Sequence, residues 1–146
     1  MDIQLTYNRR QTTTTKVGNI EIGSEHPVRI QTMANTSTND IEGSVAQAER
    51  CIEAGAELLR FTTQGLREVE SLAQIHHHLI ASSPHRPIIP LVADVHFQSD
   101  VADAAAKVVE KVRINPGNYI DPARKFKQID YTEEEYQSEL QRLRAR

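Results

Sequence analysis

Residues 90–119 read PLVADVHFQSDVADAAAKVVEKVRINPGNY, two short apolar strands flanking one Ala-rich helix. Each strand finishes in polar groups: Asp94 and His96 follow the first, and Lys111, Arg113, Asn115 and Asn118 sit in or just after the second. Polar and charged residues at the C-terminal ends of parallel strands are where α/β barrels and open α/β sheets place their active sites. The cationic part of this cluster points to an anionic ligand, a phosphate ester first of all, because guanidinium and ammonium groups meet phosphate oxygens through charge-assisted hydrogen bonds.

The alternation of strand and helix continues on both sides. Lys16 to Ile22 alternates around Gly18 and Asn19 and then meets Gly23-Ser24, the pattern of a small hairpin or cap. Val28 to Met33 reads as a first buried strand. Asn39-Asp40-Ile41-Glu42 offers an N-cap with Glu three residues on, opening a helix with Ile41, Val45, Ala48 and Ile52 on one face and Gly55 at its end. Glu57 to Thr62 is a second strand, and a second helix runs from about Gly65 to Ala81. Pro84 and Pro87 bracket a loop before a third strand, Ile88 to Ala93. A third helix is expected over about Asp100 to Val109, and a fourth strand over Lys111 to Ile114.

Strand starts near 28, 57, 88 and 111 recur at the spacing of βα units. Four such units make half of an eightfold barrel, which needs about 250 residues when complete. Beyond Asn118, Asp121 to Gln128 is mixed and basic. Thr132 to Glu135 then forms a capping box for a helix with Tyr136, Leu140 and Leu143 on one side, running to Arg146 without a terminating Gly. The expected fold is α/β: the N-terminal half of a TIM (β/α)8 barrel, truncated after about four βα units. An N-terminal β-hairpin occupies about 12–26, the βα units about 28–118, and a helical segment starts within 119–146. The chain reads as the N-terminal portion of a longer protein, with the rest of the barrel elsewhere.

Composition narrows the function classes. The 146 residues carry 17 Lys and Arg against 20 Asp and Glu, a net charge of −3. No basic stripe is dense enough for nucleic acid, and no apolar run approaches membrane-spanning length. Arg9-Arg10 and the Thr12–Thr15 run faintly suggest a transit peptide, but Asp2 sits among them and a strand pattern follows at once, so the expected location is bacterial cytoplasm rather than a plastid. One cysteine, Cys51, precludes an intrachain disulfide framework and a cysteine-ligated cluster built from this chain alone.

Strand parity indicates which residues face a ligand, since alternate residues share a face. Lys111, Arg113 and Asn115 oppose Val112 and Ile114; Arg60 and Thr62 oppose Leu59 and Phe61; Val92, Asp94 and His96 share a parity; Gln31 and Met33 lead to Asn35 in a loop. If the apolar sets meet the helices, the polar sets face the barrel interior. Unpaired, Arg60 and Arg113 would be costly there, which calls for an anion against them. Plainer readings stand beside this one. Arg60 and Asp94 can form a purely structural ion pair. Asp94-x-His96 can be read as two metal ligands lacking a third. His76-His77-His78 cannot converge on one ion, because consecutive helical residues point about 100° apart. Cys51 adjoins an apolar helix face, and Asn115-Pro116-Gly117-Asn118 would be a plain turn in another context.

The run Lys111-Val-Arg-Ile-Asn-Pro-Gly-Asn118 resembles a signature of the 4-hydroxy-3-methylbut-2-enyl diphosphate synthases of the non-mevalonate isoprenoid pathway. Val92-Ala-Asp-Val-His-Phe97, Gln31-Thr-Met-Ala-Asn-Thr36, Val17-Gly-Asn-Ile-Glu-Ile-Gly23 and Ala54-Gly-Ala-Glu-Leu-Leu-Arg-Phe-Thr62 match the same family in order and spacing. Residues 119–146 are similar to its longer, three-domain form. The resemblance implies an iron-sulfur oxidoreductase whose TIM barrel binds 2-C-methyl-D-erythritol 2,4-cyclodiphosphate. A [4Fe–4S] cluster in a C-terminal domain, held by three Cys and one Glu, would supply two electrons for ring opening and loss of a hydroxyl. It further implies ferredoxin or flavodoxin as electron donor and a homodimer in which one subunit's cluster domain closes over the other's barrel.

By motif, Arg60 and Arg113 become diphosphate ligands. Asn115 and Asn118 join the hydrogen-bond network, with Gln31, Asn35 and Lys111 as further substrate-binding positions, and Asp94 and His96 lie at the rim as candidate catalytic groups. No metal-ligating residue is expected in this chain, and the cluster ligands are absent from it, so this portion would bind the diphosphate but be inactive alone. Two other classes fit the same residues: another TIM-barrel enzyme for phosphorylated or pterin ligands, and a non-enzymatic anion-binding module.

Overall fold

A computed structural model describes residues 10–82, 86–119 and 130–145, with only the backbone of Asn118 and Leu143. Readings made for Arg9, Pro84, the basic stretch Asp121–Gln128, Arg146 and the side chains of Asn118 and Leu143 lie outside the described residues.

An antiparallel hairpin, β1 (Thr15–Val17) and β2 (Ile20–Ile22), comes first. Its two-residue turn needs a positive φ at the first position, which Gly18 supplies at 58°. Four parallel strands follow in sequential order: β3 (Gln31–Met33), β4 (Leu58–Thr63), β5 (Leu91–Val95) and β6 (Lys111–Arg113). The helices α1 (Ile41–Glu53), α2 (Leu66–Ser82) and α3 (Ser99–Ala105) connect them. This is the expected run of four βα units behind a hairpin. Short α4 (Pro116–Tyr119) follows β6, and α5 (Glu133–Arg144) opens on the predicted capping box at Thr132 and Glu135.

The sheet has two unlike faces. Leu59, Phe61, Ala93 and Val95 pack against Ala48 of α1, Val69, Leu72, Ile75 and Leu79 of α2, and Val101, Ala102 and Ala105 of α3. The buried apolar residues of the opposite face lie near the strand starts, where Leu58 and Val92 meet Val17 of the hairpin, with Ile20 and Ile22 alongside. That face curves strongly. Lys111 on β6 reaches Gln31 on β3 at 3.4 Å although two strands lie between them. The hairpin thus closes the N-terminal end of the concave face and leaves the strand C-termini to polar residues.

Several boundaries differ from the sequence reading. The first strand is short and mostly uncovered: Val28 is 86% exposed and Ile30 62%. It lies at a sheet edge, so one of its sides meets no neighbouring strand in the sheet. The third strand starts at Leu91 rather than Ile88, because Pro87 and Pro90 have no N–H to give a ladder. The third helix ends at Ala105, where Lys107 and Val108 donate to carbonyls three residues back and the β-branched pair Val108-Val109 follows. The α1 cap is Asp40, which accepts from the Gly43 N–H. Asn39 instead donates to Glu68 and accepts from Ser71, tying the start of α1 to α2.

Candidate functional site

Parallel register places Thr62 beside Asp94 and Asp94 beside Arg113, with Arg60 beside Val92 and Val92 beside Lys111. All of these except Val92 are the polar residues that strand parity assigned to the interior. Arg60 reaches along the sheet and its Nη2 donates to Asp94 Oδ2 at 2.6 Å. Arg113 Nη1 lies 3.3 Å from Asp94 Oδ1 and 2.7 Å from His96 Nε2. His96 Nε2 is itself 3.4 Å from Asp94 Oδ1. One carboxylate, 5% exposed, therefore anchors two guanidinium groups that are 25% and 39% exposed.

The structural ion pair between Arg60 and Asp94 is present, and Arg113 joins it. The anion required against these guanidinium groups is thus, in the first instance, the chain's own carboxylate. Asp94 does not balance the face. Three inward cations, Arg60, Arg113 and Lys111, less one carboxylate leave two positive charges. Arg60 Nε is buried and has no acceptor among the described residues. A buried N–H without a partner costs about 1–3 kcal/mol, so it favours an added acceptor.

The other predicted positions divide. Gln31 accepts from Lys111 toward the strand starts. Asn35 is exposed in the loop after β3 and is tied to α1: its N–H donates to Gln47 Oε1 at 3.1 Å, and Gln47 Nε2 donates to Asn35 Oδ1 at 2.6 Å. The strand β6 ends at Arg113, so parity does not carry on to Asn115, whose Oδ1 accepts from the Gly117 N–H at 3.1 Å. Arg60, Asp94, His96 and Arg113 form the connected group. At the strand ends beside it lies an opening of about 510 Å³ lined by Thr62, Gln64, His96, Phe97 and Gln98. Gln64, Phe97 and Gln98 were not among the predicted positions. Their signal in the sequence is only that each lies within three residues after a strand end.

Among the described residues no three His, Cys, Asp or Glu side chains gather to hold a metal ion. His76 turns inward, 3.1 Å from Glu110 Oε1, while His77 and His78 are exposed. Cys51 is half-buried against the main core. No helix among the described residues is long and apolar enough to cross a membrane.

Comparison with known proteins places these observations in a family. The family model described as the GcpE TIM-barrel domain matches residues 12–141. A Bacteroides fragilis 4-hydroxy-3-methylbut-2-en-1-yl diphosphate synthase (flavodoxin) is 52% identical over 140 residues, which is 96% of this chain and 22% of that protein. The Arabidopsis thaliana chloroplastic synthase (ferredoxin) is 46% identical over 135 residues, 92% of this chain and 18% of the relative. A Chlamydia muridarum synthase (flavodoxin) is also 46% identical, over 92% of this chain and 22% of its own length. The chain spans about a fifth of the length of these curated relatives. With its hairpin, its sequential parallel strands and this match over nearly all its length, the chain belongs to the GcpE TIM-barrel domain family.

Proposed function

We propose that this chain is the N-terminal portion of the substrate-binding barrel of a 4-hydroxy-3-methylbut-2-enyl diphosphate synthase. In this reading the hairpin covers about 12–26, the βα units about 28–118, and 119–146 begins a helical segment. The reaction is the two-electron reductive ring opening and dehydroxylation of 2-C-methyl-D-erythritol 2,4-cyclodiphosphate in isoprenoid biosynthesis. The observation that carries the reading is the excess of two positive charges on a concave face, with a buried Arg60 N–H lacking an acceptor.

The chemistry assigned to these residues is electrostatic. Arg60 and Arg113 present planar donor groups to diphosphate oxygens, and Lys111 adds a third cation. Asp94 holds both guanidinium groups in place beforehand, so little reorganisation is needed when the ligand arrives. His96 lies at the rim within reach of a ligand hydroxyl, and Gln31, Asn35, Asn115 and Asn118 are the remaining hydrogen-bonding candidates. Fixing the ring in one orientation is the barrel's contribution to rate.

The family's reducing group is a [4Fe–4S] cluster, and the residues described here do not fit it. The single thiol is half-buried on α1, and no metal-binding group forms among the described residues. No step assigned to this chain runs through iron. In this proposal the cluster, its flavodoxin or ferredoxin donor, and the homodimer contacts belong to other polypeptide, and the chain alone does not turn over substrate.

Calorimetric titration with the cyclodiphosphate tests the reading. The protein should bind it at low ionic strength, and Arg113→Ala should weaken binding about tenfold or more, the loss expected for one charge-assisted contact. Unchanged affinity in that variant would count against the assignment, and product formed by this chain with reductant alone would remove the claim that it is inactive by itself.

A further inference from the structure

Phe97 has a φ of 63°, one of two non-glycine residues among those described with a positive φ. The left-handed region is uncommon for any side chain and is an outlier for a bulky one. Its neighbours fix the conformation. Val95, two residues earlier, is buried in the core, and Gln98 forms the N-cap of α3 while its side-chain N–H donates to the Gln64 carbonyl at 2.8 Å. The chain must turn within one residue, from a strand whose parity aims His96 inward to a helix that packs outside.

Burial does not offset this strain, because Phe97 remains 38% exposed. Its ring lies beside His96, with centroids 6.0 Å apart and planes tilted by 40°. It lines the 510 Å³ opening together with Thr62, Gln64, His96 and Gln98. It also borders a smaller depression with Ile114 and Asn115. A strained, half-exposed aromatic ring stands at an opening whose other lining groups are polar, and one of them, His96, touches the Arg113 guanidinium at 2.7 Å. Backbone strain retained at such a place points to function.

We propose that Phe97 determines specificity: its ring is an apolar flank beside the cationic floor, and the ligand is an organic diphosphate whose carbon skeleton lies against that ring. The inference rests on the anion-binding reading above and adds the chemistry of the ligand's other half. The guanidinium groups of Arg60 and Arg113 take the phosphate oxygens, and Phe97 sheds water from the adjoining carbons. A diphosphate bearing too short a carbon chain leaves the ring wet and gains nothing from it.

Titration with methyl diphosphate and n-butyl diphosphate, equal in charge and unequal in carbon, tests this. The protein should prefer the butyl ester by about tenfold, the worth of a few methylenes partly removed from water. Phe97→Ala should abolish that preference and leave methyl diphosphate affinity unchanged, whereas Phe97→Leu should retain most of it. Both variants keep a Cβ, so neither gains the freedom of glycine at this position, and the leucine variant serves if the alanine one does not fold. Equal affinity for the two esters in the unmodified protein, or a butyl preference that survives in Phe97→Ala, overturns the proposal while the anion-binding reading stands. A parallel loss for both esters in Phe97→Ala makes the residue merely structural and also overturns it. If neither ester binds, this proposal falls, and titration with the cyclodiphosphate decides the anion-binding reading separately.

Discussion

Asp94 is the hinge of the electrostatics because two guanidinium groups share one almost fully buried carboxylate. Removing its charge leaves both cations without their partner. Full burial of such a pair would put the cost at about 3–5 kcal/mol. Arg60 is a quarter exposed and Arg113 more than a third, so water recovers part of it. Asp94→Asn should therefore lower unfolding free energy by about 2 kcal/mol, read from urea denaturation. The variant's face carries three cations and no carboxylate. Added pyrophosphate should raise its melting temperature more than it raises that of the unmodified protein, and an equal response in both would show that Asp94 and the added anion do not share a place.

The hairpin, packed on Leu58 and Val92 through Val17, also makes one close backbone approach. A Cβ built on Gly18 would sit 3.1 Å from Glu110 Cγ and 3.1 Å from Pro90 Cγ, at a φ that penalises any side chain. Glu110 cannot move aside cheaply, since Oε2 accepts from the Leu91 N–H at 2.9 Å and Oε1 faces His76. Gly18→Ala should cost about 1–2 kcal/mol in chemical denaturation, and a neutral result would mean that the hairpin is not seated on β5 as described. The hairpin was legible from Lys16 to Ile22 because its alternation and its Gly-Asn turn are local. The facing of Arg60, Asp94 and Arg113 was legible too, since parity needs only the strand period and one apolar side. The start of the first strand was not, because Val28 and Ile30 read as core until their edge position is known. Asn39 and Asp40 are equally good caps by composition, and only the contact with Ser71 separates them. Nothing in Val95-His96-Phe97-Gln98 signals a left-handed phenylalanine, since that conformation is imposed by where β5 and α3 lie. That Asp94 would bind both arginines follows from curvature and register, which single strands do not reveal.

Opposing titrations shape stability across the protein. The Arg86 guanidinium, against the effect of burial and helped by the Ser82 hydroxyl, holds Glu49 below the usual carboxylate range. The Ile30 N–H and Arg29 do the same for Glu57. Burial pushes the Glu110 carboxyl up, but His76 and the Leu91 N–H outweigh it, and it too lies low. Carboxyls lowered on folding stabilise above their unfolded values, about 4.3, and that contribution fades as pH falls through the folded ones. His76 moves the other way: its bond to Glu110 raises it despite burial. Its contribution is complete below about pH 6.5 and is lost as pH climbs through the raised value. Urea denaturation across pH should show a plateau between about pH 4.5 and 6.5 with decline on either side. His76→Gln should flatten the alkaline decline and reduce the acid one only by the share of Glu110, since Glu49 and Glu57 keep their partners, and an unaltered alkaline limb would mean another group is responsible. The tethered carboxylate at the strand ends has a consequence of its own. An incoming anion must share the two guanidinium groups with a carboxylate that is always present, so the hollow imposes a threshold: a singly charged solute such as chloride meets cations already partly neutralised, while a solute offering several phosphate oxygens at once can engage the N–H groups that Asp94 leaves over and be retained.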